Sequence, residues 1–291
     1  MTPPSWYTEA LDTPHETARI EVAGAAIDLL TWGARGQPGL LFVHGMLAHA
    51  RWWDFIAPFF AGRFRCAALS LSGMGLSDWR EHYSIRTYVD ELVAAMHAAG
   101  LYAADTPPVV VAHSFGGIPA RRLAEWQGDT LRGLVLVDSP VRATTDYRPT
   151  ARKYTLRPYA SVEAAAAQFR LLPEQDCANP FLLQHVSRHG MRRREHDWVR
   201  SFDPDLRMKI AHGDYQPNLE ALACPIAFIR GEHSSVVPAD IDHYIGQLLP
   251  QAPRIDIPGA AHHIMLDQPL AFVAALRGLL AVDPAGWLAR P

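Results

Sequence analysis

The stretch Val109-Val110-Val111-Ala112-His113-Ser114-Phe115-Gly116-Gly117 runs from an apolar strand, through a serine set between small residues, into a helix-forming segment. Three consecutive valines bounded by turn residues read as a strand buried on both faces of a parallel sheet. A sharp strand-to-helix turn at its end would lift the Ser114 hydroxyl above the sheet. Only small residues flanking such a turn avoid a clash, which is the physical content of the G-x-S-x-G pattern. Ala112 stands at the first small position and adds one methyl, which the turn tolerates. A serine N-cap opening a loose Gly-Gly helix start would give the same letters. Pro119, early in the following helix, is expected to distort its first turns.

Outward from this stretch, short apolar runs alternate with segments of helical period. Leu40–Val43, Phe64–Leu69, Val109–Ala112 and Leu134–Val137 read as strands, with Arg51–Phe60, Ile85–His97 and Phe115–Gln127 as helices between them. Ser84 is the expected N-cap of the second helix. The alternation resumes after Cys224 with strand Ile226–Ile229, helix Ala239–Leu248, strand Arg254–Ile257 and helix Gln268–Leu280. Between Val141 and Glu220 the strand-like runs disappear and prolines recur at Pro149, Pro158, Pro173 and Pro180. Val162–Leu171 and Phe181–His189 read there as helices. The expected organisation is therefore a core of residues 1–140 and 221–291 interrupted by a helical cap, 141–220. The cap holds 13 Lys/Arg against 10 Asp/Glu, and the remainder 14 against 20. That asymmetry suits an anionic substrate, or simply a solvated face carrying Arg192, Arg193 and Arg194.

A serine hydroxyl is a weak nucleophile and needs a general base within hydrogen-bond reach. Pro258-Gly259-Ala260-Ala261-His262-His263 follows the last strand and leaves the sheet at the same edge as the elbow, so His262 is the expected base and His263 its neighbour and rival. Acyl transfer also develops negative charge on an oxygen, which preorganised N–H groups must meet. Phe42-Val43-His44-Gly45-Met46 supplies a tight turn, and the amide of Met46 can pair with that of Phe115, the residue after the serine. His44 is expected to lock this turn and to point away from the attack site.

These residues resemble the α/β-hydrolase superfamily with an inserted helical cap. The resemblance runs from about residue 20 to 280, through the His44-Gly45 turn, Leu71-Ser72-Gly73-Met74-Gly75-Leu76-Ser77, the Ser114 elbow and the Gly259 to His262 loop, in the expected order. It implies an α/β fold with a mostly parallel eight-stranded sheet, helices on both faces and a cap after the sixth sheet strand. It also implies a carboxylesterase-like serine hydrolase needing no cofactor and no metal. The chain departs from the pattern at the triad acid. In many relatives an aspartate follows the strand matching Pro225–Arg230, whereas here Gly231-Glu232-His233-Ser234-Ser235-Val236-Val237-Pro238 puts a serine, Ser235, at that position. Some relatives instead carry the acid at the end of the preceding strand, where this chain has Asp138. Asp138 is thus the expected acid, with Glu232 the rival and a turn-capping role through Pro140 the plain reading of Asp138. Ser70 stands where relatives often carry aspartate.

The substrate expected is a small to medium, largely apolar ester. Trp52, Trp53, Phe169, Phe181, Trp198 and Phe202 suggest an apolar pocket, although aromatics at such spacing are more often core. Lactone or carbon–carbon bond hydrolysis would use the same residues, and a ligand-binding receptor on the scaffold would show an unformed triad. His185, His189 and His196 have a spacing that could bind zinc, without the glutamate of an H-E-x-x-H motif. Gly73-Met74-Gly75 lacks the third glycine of a dinucleotide loop. A net charge of −3 with no long basic run argues against a nucleic-acid partner. Three scattered cysteines argue against a disulfide framework, and no apolar run is long enough for a membrane span. A cytoplasmic location is expected; a homo-oligomer stays open.

Overall fold

The computed structural model describes residues 2–102, 106–141, 152–210, 219 and 222–281. Its strands in chain order are β1 (His15–Val22), β2 (Ala25–Trp32), β3 (Gly39–Val43), β4 (Arg65–Leu69), β5 (Val109–His113), β6 (Gly133–Val137), β7 (Met191–Arg194), β8 (Asp197–Arg200), β9 (Ile226–Gly231) and β10 (Arg254–Ile257). Eight of them form one sheet in the order β1-β2-β4-β3-β5-β6-β9-β10. Strand β2 runs antiparallel to both neighbours, and every other pairing is parallel. The helices are α1 (Ser5–Leu11), α2 (Ile85–Ala99), α3 (Gly117–Gln127), α4 (Val162–Ala167), α5 (Pro180–His189), α6 (Leu206–Lys209), α7 (Ala239–Leu248), α8 (Ile264–Asp267) and α9 (Pro269–Ala281).

Side chains along a strand alternate faces, and that alternation divides the interior into two cores. Leu41, Val43, Val110, Ala112, Leu134 and Leu136 face one core, which α2, α3 and α7 cover. Leu40, Phe42, Val109, Val111, Val135 and Val137 face the other, which α1, α8 and α9 cover. Burial on both faces is why these strands are continuous apolar runs. Helix α2 starts where Ser84 Oγ accepts from the Thr87 amide at 3.0 Å and stops at Gly100, whose φ of +72° supplies the left-handed turn.

Three expectations about elements are corrected. Arg51–Phe60 is not an α-helix: 3-10 turns at Ala50–Trp53 and Ala57–Phe59 replace it. Pro58 cannot sit inside a helix, and Trp53, Phe55 and Ile56 are all fully buried, so no helical face is left for water. The insertion is also not wholly helical, because β7 and β8 pair as a hairpin closed by a turn in which Glu195 has φ +54°. Arg192-Arg193-Arg194 carries no apolar run, so this strand gives no signal in the sequence. Helix α4 ends at Ala167, short of the expected Leu171, and buries only Ala165. The insertion is tied to the core where the Asp203 amide donates to Gly73 O at 2.8 Å and the Tyr83 hydroxyl to Asp203 Oδ2 at 2.8 Å. Its expected ends overlap 142–151, 211–218 and 220–221, which lie outside the described residues. Among the described residues no helix is long and apolar enough to cross a membrane.

Candidate active site

The turn after β5 is as tight as the sequence requires. Ser114 has φ +51°, a left-handed conformation that an L-residue holds only when its surroundings enforce it. A Cβ on Gly116 would come within 2.5 Å of His44 O, and one on Gly117 within 2.1 Å of Ser139 Oγ. Ala112, fully buried, fits. Pro119 is the third residue of α3, where an N–H has no partner inside the helix, so it does not disturb the first turn.

His262 stands between two partners. Its Nε2 lies 2.9 Å from Ser114 Oγ and its Nδ1 2.6 Å from Asp138 Oδ2. A carboxylate only accepts, so Nδ1 donates and Nε2 carries the lone pair that receives the serine proton. Asp138 arrives here because β6 and β9 pair in parallel and its amide continues the ladder to Ile229 O at 2.8 Å. It too is left-handed, at φ +43°. Its carboxylate further accepts from the Gly231 amide at 3.1 Å and the Ser234 hydroxyl at 2.6 Å. Ser234 Oγ in turn accepts from the amides of Val236 and Val237 at 3.1 and 3.0 Å. Asp138 and His262 are 2% and 3% exposed, so little water competes for these bonds.

The rival residues are engaged elsewhere. Glu232 accepts from the Gly259 amide at 2.8 Å and braces the loop that carries His262. His263 packs on Trp52 with ring centroids 5.3 Å apart, and burial holds it well below its ordinary pKa. His44 donates from Nδ1 to Gly45 O at 2.7 Å and accepts the Leu71 amide on Nε2 at 3.0 Å, and burial lowers its pKa to about 4. Ser70 Oγ accepts from the Ala50 amide at 3.0 Å and donates to Asp28 Oδ2 at 3.2 Å, so a carboxylate is supplied from β2 instead of position 70.

Two further residues position the relay without a signal of their own in the sequence. His113 Nε2 donates to the carbonyl of His262 at 3.0 Å, which fixes the base's backbone from the strand end that carries the serine. Burial, then the neighbouring His262, hold His113 well below its ordinary pKa. Ser234 is the other: the parallel register of β6 and β9, a property of the folded sheet, sets the loop after β9 opposite Asp138.

Met46 and Phe115 line the same cavity as Ser114 and His262. The Met46 amide has no hydrogen-bond partner among the described residues, and the Phe115 amide lies in the first turn of a 3-10 helix, where none is expected. None of the six aromatic residues singled out in the sequence lines this cavity: Trp53 packs on Phe42 and Phe272, Phe181 on Trp6 and Tyr7, and Phe202 on Tyr154. These three are packing residues. Arg193 and Arg194 are exposed, as a solvated face requires, whereas Arg192 is half-buried, with Nη2 donating to Gly75 O at 2.8 Å and the guanidinium 5.1 Å from the Trp79 ring centre.

The three histidines with zinc-like spacing do not gather. His185 is buried, with Nε2 3.1 Å from Asp54 Oδ2 and Nδ1 3.2 Å from the Tyr7 hydroxyl, and His196 is exposed on the β7–β8 turn. Asp54 takes the place of His196 beside His185 and His189. Gly73-Met74-Gly75 is closed as a turn, Gly73 donating to Asp78 O at 2.8 Å while its carbonyl is taken by Asp203.

This order of elements, with a serine on a strained turn after β5 and a histidine after the last strand, has counterparts of known sequence. Residues 40–276 match the Alpha/beta hydrolase family. The chain belongs to that family. Esterase Rv0045c of Mycobacterium tuberculosis is 29% identical over 279 residues, 89% of this chain and 88% of that protein. Its crystal structure superposes with a TM-score of 0.70 at 27% identity, covering 96% and 97% of the two chains. A pimeloyl-[acyl-carrier protein] methyl ester esterase of Chromobacterium violaceum is 26% identical over 255 residues, 82% of this chain and 92% of that one. The structure of an E-2-(acetamidomethylene)succinate hydrolase shares the fold, with a TM-score of 0.76 at 18% identity, covering 92% and 100%.

Proposed function

We propose that this α/β hydrolase cleaves carboxylic esters of small to medium, largely apolar substrates through an acyl-enzyme on Ser114. That it acts on ester bonds rests on its relatives, which are named esterase, methyl ester esterase and lipase. The observation that carries the mechanism is the hydrogen-bonded relay, Ser114 Oγ to His262 Nε2 at 2.9 Å and His262 Nδ1 to Asp138 Oδ2 at 2.6 Å. Ser114 Oγ attacks the ester carbonyl carbon as its proton passes to Nε2, and Asp138 stabilises the imidazolium without taking the proton. The amides of Met46 and Phe115 meet the charge on the carbonyl oxygen. The tetrahedral intermediate expels the alcohol, which takes the proton from Nε2. Water then repeats the sequence on the acyl-enzyme, releasing the acid and restoring Ser114.

A receptor built on the same scaffold would have no need of an intact relay, so the relay favours an enzyme. Replacing Ser114 tests the reading, because the hydroxyl is the group on which the acyl-enzyme forms. Ser114→Ala should lose on the order of 10⁴-fold or more of the hydrolysis of an activated aryl ester, with its thermal unfolding little changed. Comparable turnover by the variant would refute the serine mechanism.

A further inference from the structure

The cavity over Ser114 encloses about 390 Å3. At roughly 30 Å3 for each water-sized volume, it takes about a dozen non-hydrogen atoms. Phe115, Ile118, Leu172 and Ile210 give it apolar walls, yet Arg152 and Arg207 line it too, and among the described residues no carboxylate does. Apolar walls account for an aliphatic or aromatic substrate body. They do not account for two guanidinium groups.

The two arginines converge because two contacts run their segments side by side. The Tyr154 amide donates to Pro204 O at 2.8 Å, and Lys153 Nζ pairs with Asp205 Oδ1 at 3.3 Å. Two acids of the same segment are already engaged, Asp205 with Lys153 and Asp203 with both the Tyr83 hydroxyl and Lys209 Nζ at 2.8 Å. The Arg152 guanidinium lies 5.1 Å from the ring centre of Tyr154, itself a lining residue. Among the described residues Arg207 has no counter-ion, and its buried Nε has no hydrogen-bond partner. A buried donor left unpaired in a folded protein calls for an explanation, and other arginine Nε atoms, those of Arg121 and Arg192, share that state. Arg207 differs from both in lining the cavity that also holds Ser114 and His262.

We infer that this cavity contains an anion subsite, in which Arg207 with Arg152 receives a carboxylate carried by the substrate at the end remote from the scissile ester. The planar guanidinium fork has donors and no acceptor, and it matches a carboxylate in two parallel hydrogen bonds. The substrate class is then the half-ester of a dicarboxylic acid, or an ester of similar length with one anionic end. The apolar walls take the methylene chain. The inference rests on Ser114 as the nucleophile, since it fixes which end of the substrate lies at the relay and which at the arginines.

Monomethyl adipate and methyl hexanoate have acyl chains of equal length and differ in the terminal carboxylate. The wild-type protein should hydrolyse monomethyl adipate with a kcat/KM about 10- to 100-fold above that for methyl hexanoate, the gain lying mainly in KM. Arg207→Met should bring that ratio to about one, and Arg207→Lys, which keeps a charge without the fork, should keep part of it. Equal kcat/KM values in the wild type, or a preference for methyl hexanoate, would overturn the subsite while leaving the esterase reading in place. A ratio unchanged in Arg207→Met would overturn it as well. Calorimetric binding of monomethyl adipate to the Ser114→Ala protein separates the two readings. Binding that Arg207→Met removes, alongside a wild-type protein that turns over neither ester, would keep the subsite and defeat the hydrolase; no binding would defeat the subsite.

Discussion

The imidazole of His262 has one nitrogen for a hydroxyl and one for a carboxylate, and both positions are filled from elements more than a hundred residues away in sequence. If Asp138 fixes the tautomer, Asp138→Asn should lower kcat by roughly 10³- to 10⁴-fold, since the amide lets the imidazole present the wrong nitrogen. Glu232→Gln should be nearly silent by comparison, because Glu232 braces Gly259 and does not reach the ring. Steady-state kinetics on an activated ester checks both, and an equal loss in the two variants would point to a shared structural effect. The serine was legible from its small neighbours and the histidine from its place after the last strand. The acid was legible only as a choice, since a linear sequence does not say which of two carboxylates faces the ring. The register of β6 against β9 carries that information, and with it the Ser234 hydroxyl that holds Asp138.

At the scale of elements, the elbow is a contact between backbones. Strand β3 ends against Gly116 so closely that an added Cβ would meet His44 O at 2.5 Å, and a carbonyl held at a strand end cannot swing aside as a flexible side chain could. Gly116→Ala should therefore destabilise the protein by roughly 1–3 kcal/mol and lower activity beyond that, since moving the turn moves the amides of Phe115 and Met46. Urea unfolding together with kcat reads both, and a variant unchanged in both would show that the approach is softer than the geometry implies. Elements with one strong periodic signal, such as α2 and the buried strands β3 to β6, could be read before the structure. Those that depend on tertiary contacts could not. The Trp52-Trp53 segment forms 3-10 turns because it is buried all round, and the β7–β8 hairpin forms against the core from a run of arginines.

For the whole molecule, burial of four imidazoles makes stability depend on pH. An unfolded histidine protonates near pH 6.5, whereas folded His44 is held at about 4, and burial holds His49, His113 and His263 well below the ordinary value. Between those limits the unfolded chain binds more protons than the folded one, so stability falls as the pH drops, by up to about 1.4 kcal/mol per pH unit for each histidine. Asp28, Glu91 and Asp267, whose carboxyls burial raises, oppose this nearer the carboxylate range. The urea midpoint should accordingly be lower at about pH 5.5 than at about pH 7.5; a midpoint that is equal or higher at the acid value would contradict the neutral, buried state of these rings. In the proposed mechanism one serine, activated by one histidine, forms the acyl-enzyme. Peptide-mapping mass spectrometry after incubation with a fluorophosphonate tests it most directly. A single stoichiometric adduct on Ser114 is expected in the wild type and almost none on His262→Ala over the same time; an unlabelled Ser114 in protein that still hydrolyses esters, or an adduct on another residue, would refute the mechanism.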